Sequence, residues 1–317
     1  MRIVVLDGYV ANSGDLSWAP LSQLGELVVY DRTAPEQVAE HAAGASAIFT
    51  NKVVIDKDIM QQLPDLKFIG VLATGFNNVD LIAARRQGIT VCNVPQYSTH
   101  SVAQNIFAHL LNITNRVAQH NAAVKDGAWQ NCKDFSFRLT PIIELAGLTL
   151  GIYGLGSIGR EVAQIASAFS MRVIAQTSKM PWQLPTGITP VEKEELFAES
   201  DVLVLCAPLT SENKHYINAE TIEMMKSGTI IINAARGGLI DSEALAAALA
   251  SGKIYAAGVD VLPQEPPKAD EPLLAAPNCF ITPHIAWQSG VAREALIAKS
   301  AENLSAYLSG TPINVVN

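Results

Sequence analysis

Aromatic residues make up only 6% of this chain and charged residues 16%, and no apolar run approaches the length needed to span a bilayer. Acidic residues outnumber basic ones by 30 to 22, for a net charge of −8. That balance argues against a polyanion such as nucleic acid as the principal partner, although a small anionic substrate needs only a local cationic site. The four cysteines (Cys92, Cys132, Cys206 and Cys279) stand far apart with no CxxC pair, and the six histidines do not cluster. The usual zinc spacings are therefore missing, and no metal is expected. Cys92 and Cys206 fall in apolar, strand-like runs and read as reduced core thiols. Met1–Gly8 has too short an apolar stretch for a leader and reads as a strand. The expectation is a cytoplasmic chain without a membrane partner.

What is present is apolar and alternating. Apolar residues reach 49% over 317 residues, enough for about two domains with a core each. In the first hundred residues, strand signals at 3–6, 27–30, 47–50, 68–72 and 89–92 alternate with helical ones at 35–43, 56–62 and 81–87. Alternation of this kind implies a parallel sheet with helices on both faces. A long helical pattern follows, from about 98 to 126, with Ser101 as its candidate cap. From 148 the alternation resumes, with six strand signals at 149–153, 172–175, 202–206, 229–233, 255–259 and 279–282. A final helix over 290–308 precedes an apolar ending that is able to cross back to the first domain. The expected architecture is two doubly wound, Rossmann-like parallel-sheet domains with a cleft between them. Residues 1–98 plus 286–317 form the discontinuous first domain, and residues 99–285 the second.

One stretch of the second domain has a chemical reading of its own. Gly154-Leu155-Gly156-Ser157-Ile158-Gly159 is a GxGxxG between a strand signal and a helix signal. In that context the first glycine permits a tight turn. The second lets backbone N–H groups approach a pyrophosphate, and the third lets helix and strand pack closely. The helix N-terminus adds unpaired donors and partial positive charge. The acidic residue that ordinarily accepts from the ribose 2′-OH about 20 residues later is absent: no Asp or Glu occurs between Glu161 and Glu192.

Three polar residues follow strand signals of the same half, where ligands gather in open α/β sheets. Arg236 comes after 229–233, Glu265 follows 29 residues later, and His284 a further 19. Alone, each has an ordinary explanation as a loop charge or a hydrogen-bonded histidine. Together they form a coherent set. A guanidinium binds a carboxylate at two points, a histidine exchanges protons near neutrality, and a carboxylate beside it holds its tautomer.

These residues also resemble a known family. Gly154–Gly159, Asn233-Ala234-Ala235-Arg236-Gly237-Gly238, Asp260-Val261-Leu262-Pro263-Gln264-Glu265-Pro266-Pro267, Pro283-His284-Ile285-Ala286 and the loop Ala73-Thr74-Gly75-Phe76-Asn77-Asn78 are similar, in order and over essentially the whole chain, to the D-isomer-specific 2-hydroxyacid dehydrogenases. The glycerate dehydrogenase, or hydroxypyruvate reductase, branch is the most similar. The resemblance implies an oxidoreductase that moves a hydride between a nicotinamide cofactor and C2 of a small 2-keto or D-2-hydroxy acid, such as hydroxypyruvate, D-glycerate or glyoxylate. His284 would be the acid–base, held by Glu265. Arg236 would bind and polarise the substrate, with Thr74 and Gly75 on its carboxylate. Cofactor positions by the same resemblance are Val102, Gly154, Leu155, Gly156, Ser157, Ile158, Thr177, Ser178, Lys179, Ala207, Pro208, Ala234, Asp260 and Ala286. The first domain would be the substrate domain and the second the dinucleotide-binding one. The substrate side-chain pocket would depend on which of Phe76, Phe135 and Trp287 point inward. The family resemblance also implies a homodimer, with the 98–126 region as its expected interface.

Two departures bear on the cofactor. Cys206-Ala207-Pro208 stands where the family often has His-x-Pro, and Thr177-Ser178-Lys179 where it usually has an acidic residue. Two hydroxyls and an ammonium suit a 2′-phosphate better than a bare ribose, so the expectation is NADP(H) ahead of NAD(H). A dinucleotide-sensing binding protein of the C-terminal-binding corepressor type shares the same residues. It is the weaker reading, since no partner-binding tail is recognisable.

Overall fold

Short runs of β-branched and aliphatic residues form twelve strands, gathered into two all-parallel sheets. The computed structural model describes residues Met1–Asn317. The chain divides into two units, Met1–Ser98 with Trp287–Asn317, and Thr99–Ala286.

The first unit has five strands: β1 (Arg2–Val5), β2 (Glu26–Val29), β3 (Ala47–Thr50), β4 (Phe68–Val71) and β5 (Thr90–Cys92), in the order β2-β1-β3-β4-β5. β3 and β4 are buried on both faces, which is why they read as continuous apolar runs rather than alternating ones. Val4, Leu6, Ile48, Ile69 and Val71 form part of the core on one side. Each such side chain contributes about 1.5–3 kcal/mol by leaving water. The order of strands reverses between β1 and β3, the place where ligands settle in such sheets. Here the Asp7 carboxylate fills that place, accepting from the backbone N–H groups of Asn51 (2.7 Å), Lys52 (2.6 Å) and Val53 (3.1 Å). The C-terminal segment completes the unit. The Gly290–Leu308 helix sets Tyr307 5.2 Å from Phe68 between ring centroids, and Val315 bridges Cys92 in antiparallel sense. Cys92 is buried in this core, and its thiol is pushed up to about 11 by desolvation.

The second unit has seven strands: β6 (Thr149–Tyr153), β7 (Arg172–Gln176), β8 (Ile188–Pro190), β9 (Val202–Leu205), β10 (Thr229–Asn233), β11 (Ile254–Val259) and β12 (Cys279–Ile281). Their order is β12-β11-β10-β9-β6-β7-β8, so the direction of winding reverses between β6 and β9. β8 escaped the sequence pattern because it has three residues and includes Pro190. A proline fits there because β8 lies at the sheet edge and pairs only with β7.

The helical pattern over 98–126 is broken in two. One helix spans Thr99–Asn115 and a second Val117–Lys125, separated by Arg116 in a left-handed conformation at φ 49°. That conformation is held from outside. The Arg116 guanidinium lies 4.7 Å from the centroid of the Phe280 ring and donates to Asn278 Oδ1 over 3.1 Å. Ser101 does not cap the first helix, which begins two residues earlier; its hydroxyl donates to the Ala286 carbonyl over 2.6 Å. No helix is long and apolar enough to cross a membrane.

Candidate active site

The switch point of the second sheet is built by the glycine turn. β6 ends at Tyr153, and Gly154 follows at φ 94°, a backbone that disfavours any residue with a Cβ. The turn also presses on its neighbour: a Cβ at Gly154 would lie 2.7 Å from the backbone of Ala207, in the loop after β9. The Ser157–Ala168 helix starts directly, with Gly156 as N-cap and no side chain capping it. Its first N–H groups therefore lack helical and side-chain acceptors, and Gly156 faces open space where a Cβ would meet nothing within 4 Å. These features fit a dinucleotide pyrophosphate. Leu155 and Ala207 are buried beside the turn, and Pro208 is exposed at its rim.

At the end of β7, Gln176 Oε1 accepts from the Tyr216 hydroxyl, and the Tyr216 ring stacks on Tyr153 with centroids 3.7 Å apart. Thr177 Oγ1 accepts from the Lys179 backbone N–H over 3.2 Å, and Ser178 is exposed. No carboxylate enters this turn from residues 162–191, which contain none.

Arg236 follows β10. Asn233 fixes its loop, accepting from the Ala235 N–H (3.0 Å) and donating to the Arg236 carbonyl (2.9 Å). The guanidinium is half-buried and donates to the Ala235 carbonyl over 2.7 Å. The adjoining Gly237 leaves no room for a side chain, since a Cβ there would lie 2.0 Å from the Leu262 carbonyl carbon. That close approach seats the Arg236 loop against the loop that carries Glu265.

Glu265 and His284 meet directly. Leu262 N–H donates to Glu265 Oε1 over 3.0 Å, and His284 Nδ1 donates to Oε2 over 2.6 Å. With Nδ1 so engaged, Nε2 is the ring nitrogen left for a reactant. His284 has a left-handed backbone at φ 54°, uncommon for a residue with a side chain. Asp260, 1% exposed, holds it there. The Asp260 carbonyl accepts from His284 N–H (2.8 Å), Oδ1 from Ile285 N–H (2.9 Å) and Oδ2 from Ala286 N–H (2.9 Å). This anchoring was invisible in the sequence, where Asp260 stood out only by resemblance.

The remaining expected positions are distributed among the two units. Val102 is buried on the Thr99–Asn115 helix, and Ala234 is half-buried after β10. In the first unit, the Thr74 hydroxyl donates to the Val94 carbonyl (2.9 Å), and its carbonyl accepts from Asn93 Nδ2 (2.7 Å), which anchors the loop that Gly75 continues. Phe76 packs on the core of that unit, and Trp287 is buried edge-on to Tyr97. Phe135, in the second unit, is 90% exposed. Cys206 carries a free thiol that burial pushes up to about 12, although the residue as a whole is only partly buried.

A parallel seven-stranded sheet with a bare helix N-terminus and glycine turn at its switch point defines a dinucleotide-binding domain. Residues 107–286 match the family described as D-isomer specific 2-hydroxyacid dehydrogenase, NAD binding domain. The whole chain is 44% identical to the hydroxypyruvate reductase of Blautia hydrogenotrophica, with full coverage of both. It is 40% identical to the glycerate dehydrogenase of Methylorubrum extorquens over 92% of each. Among solved structures, the TT0316 protein of Thermus thermophilus superposes with a TM-score of 0.88 at 35% identity, covering both chains completely. The chain belongs to the D-isomer-specific 2-hydroxyacid dehydrogenases, and within them it is most similar to the glycerate dehydrogenase and hydroxypyruvate reductase branch. It is an oxidoreductase that works between a nicotinamide cofactor and a hydroxy acid.

Proposed function

We propose that this enzyme reduces a small 2-keto acid, hydroxypyruvate or glyoxylate, to the D-2-hydroxy acid, with His284 as the proton donor. The observation that carries the reading is the 2.6 Å bond from His284 Nδ1 to Glu265 Oε2. It fixes the tautomer and aims Nε2 away from the carboxylate. When bound, the nicotinamide supplies the hydride. As the imidazolium, His284 gives its Nε2 proton to the oxygen of the new alkoxide and is left as the Nδ1–H tautomer held by Glu265; in the oxidative direction it takes that proton back. Arg236 binds the substrate and stabilises the negative charge that develops on the 2-oxygen. Thr74 and Gly75 bind the substrate carboxylate through backbone N–H groups. Asp260, Ala286, Ala234 and Val102 border the nicotinamide end, and Gly154 to Ile158 with Ala207 and Pro208 the pyrophosphate.

NADP(H) is the preferred cofactor. The Thr177 and Ser178 hydroxyls and the Lys179 ammonium supply donors for a 2′-phosphate, and no carboxylate of 162–191 opposes it. The working form is a cytoplasmic homodimer. The apolar face of the Thr99–Asn115 helix is consumed within its own unit, so the interface belongs to the following stretch. There Val117, Trp129, Phe135 and Ile142 are all more than half exposed. A stereochemically resolved activity panel tests the reading, using hydroxypyruvate, glyoxylate, pyruvate and phenylpyruvate with each cofactor. Highest kcat/KM for hydroxypyruvate or glyoxylate with NADPH, giving D-products, is expected; a preference for phenylpyruvate or for NADH contradicts it.

A further inference from the structure

His109 has no part in the chemistry described above, and its place in the core is unusual for its type. It sits in the middle of the Thr99–Asn115 helix at 6% exposure, among Ile106, Leu110 and Ile113. The opposing strand is shaped around it: a Cβ at Gly258 in β11 would lie 2.7 Å from His109 Cβ and 2.9 Å from Cγ. A glycine inside a strand weakens it unless something must come close. Here it is the His109 side chain, with Ile232 Cδ1 beside it at 2.9 Å.

The ring is not merely filling space. His109 Nε2 lies 2.9 Å from Thr282 Oγ1, and the Thr282 hydroxyl donates to Asp260 Oδ1 over 2.6 Å. A hydroxyl has one proton, and it goes to the carboxylate. The histidine must therefore be the donor to Thr282, with its proton on Nε2. Burial lowers the His109 pKa against the opposing pull of Asp260, which favours the neutral ring. This series of bonds ends on the residue that collects the backbone N–H groups of His284, Ile285 and Ala286. Asp260 Oδ1 accepts from both Thr282 and Ile285, so the direction of the threonine hydroxyl sets where that oxygen rests.

We propose that His109 is a positioning residue for the proton-transfer site: by donating to Thr282 it fixes the Asp260 carboxylate, and with it the left-handed turn that presents His284. The inference rests on the reading of His284 as acid–base. It deepens that reading by assigning the turn's geometry to a helix residue 175 positions away in sequence.

The test measures kcat, KM and NADPH affinity in His109→Leu, His109→Gln, Thr282→Val and Thr282→Ser, each with and without His284→Asn. Gln keeps an N–H donor near the Nε2 position, and Ser keeps the hydroxyl. Thr282→Val is isosteric and leaves the His109–Gly258 contact itself unaltered, so it serves if His109→Leu folds poorly. The expected result is a kcat lowered about 10- to 100-fold in His109→Leu and Thr282→Val, with substrate KM and NADPH affinity changed far less. Most of the loss should be restored by Gln and Ser, and no further loss should appear when His284 is already Asn. A kcat within about twofold of the parent in folded Thr282→Val overturns the inference, as does an equal further loss in the His284→Asn background. Full activity in His284→Asn itself overturns the reading of His284 and the inference with it.

Discussion

The carbonyl oxygen of Gly154 lies 2.4 Å from the point where a Cβ of residue 159 would stand. The helix that begins at Ser157 can run against the end of β6 only because Gly159 has no side chain. Gly159→Ala therefore forces the turn apart at the proposed pyrophosphate site. Overpacking of this kind costs about 1–3 kcal/mol. The expected outcome is a lower melting temperature together with weaker NADPH binding, read by thermal denaturation and by cofactor fluorescence titration. Unchanged affinity would show that the turn is not the phosphate site.

Glu265→Gln tests the partner of His284. The amide can still accept from Leu262 N–H or from the imidazole, but it carries no charge, and a flipped amide favours the wrong tautomer. Loss of the orienting carboxylate in an acid–base pair lowers turnover roughly 10²- to 10⁴-fold. Single-turnover measurements should show a slowed chemical step with NADPH binding retained.

The sequence disclosed the glycine turn, the strand ends and the loops of Arg236, Glu265 and His284 because each depends on residues adjacent in the chain. It failed where the cause lies far away. Arg116 breaks a helical pattern that is locally sound, and what holds its left-handed backbone is Asn278 and Phe280. β8 is too short, and Pro190 too poor a strand former, to be recognised without the edge it occupies. Ser101 looked like a cap because its acceptor, Ala286, is 185 residues on. His109 showed only as one more position on a buried helical face. The nearest local hint was the glycine at 258, in the middle of an apolar strand.

Lys179→Ala should separate the two cofactors. Removing one charged donor to a phosphate costs about 1.5–3 kcal/mol, which corresponds to roughly 10- to 100-fold in kcat/KM for NADPH. The value for NADH should hold. Equal losses with both cofactors would point to a structural role for the residue.

A pH dependence of stability follows from the first unit. Arg293 binds Asp15 at two points, Nη1 to Oδ1 (2.8 Å) and Nη2 to Oδ2 (2.6 Å). These hydrogen bonds hold the Asp15 carboxyl well below the usual carboxylate range. The unfolded chain therefore binds the proton first, and the pair's contribution is fully present above about pH 3.9 and is lost as the pH falls below it. Asp15→Asn should melt below the parent at pH 7, and the gap should close in acid. A gap that persists unchanged at low pH would assign the effect to packing instead.

The measurement that bears most directly on the account is the turnover of His284→Asn, a substitution chosen because asparagine tolerates the left-handed backbone at that position. With hydroxypyruvate and NADPH, kcat should fall by at least about 100-fold while NADPH affinity and melting temperature stay close to the parent's. A folded variant that binds NADPH and keeps its turnover would contradict the assignment of His284 as the proton donor.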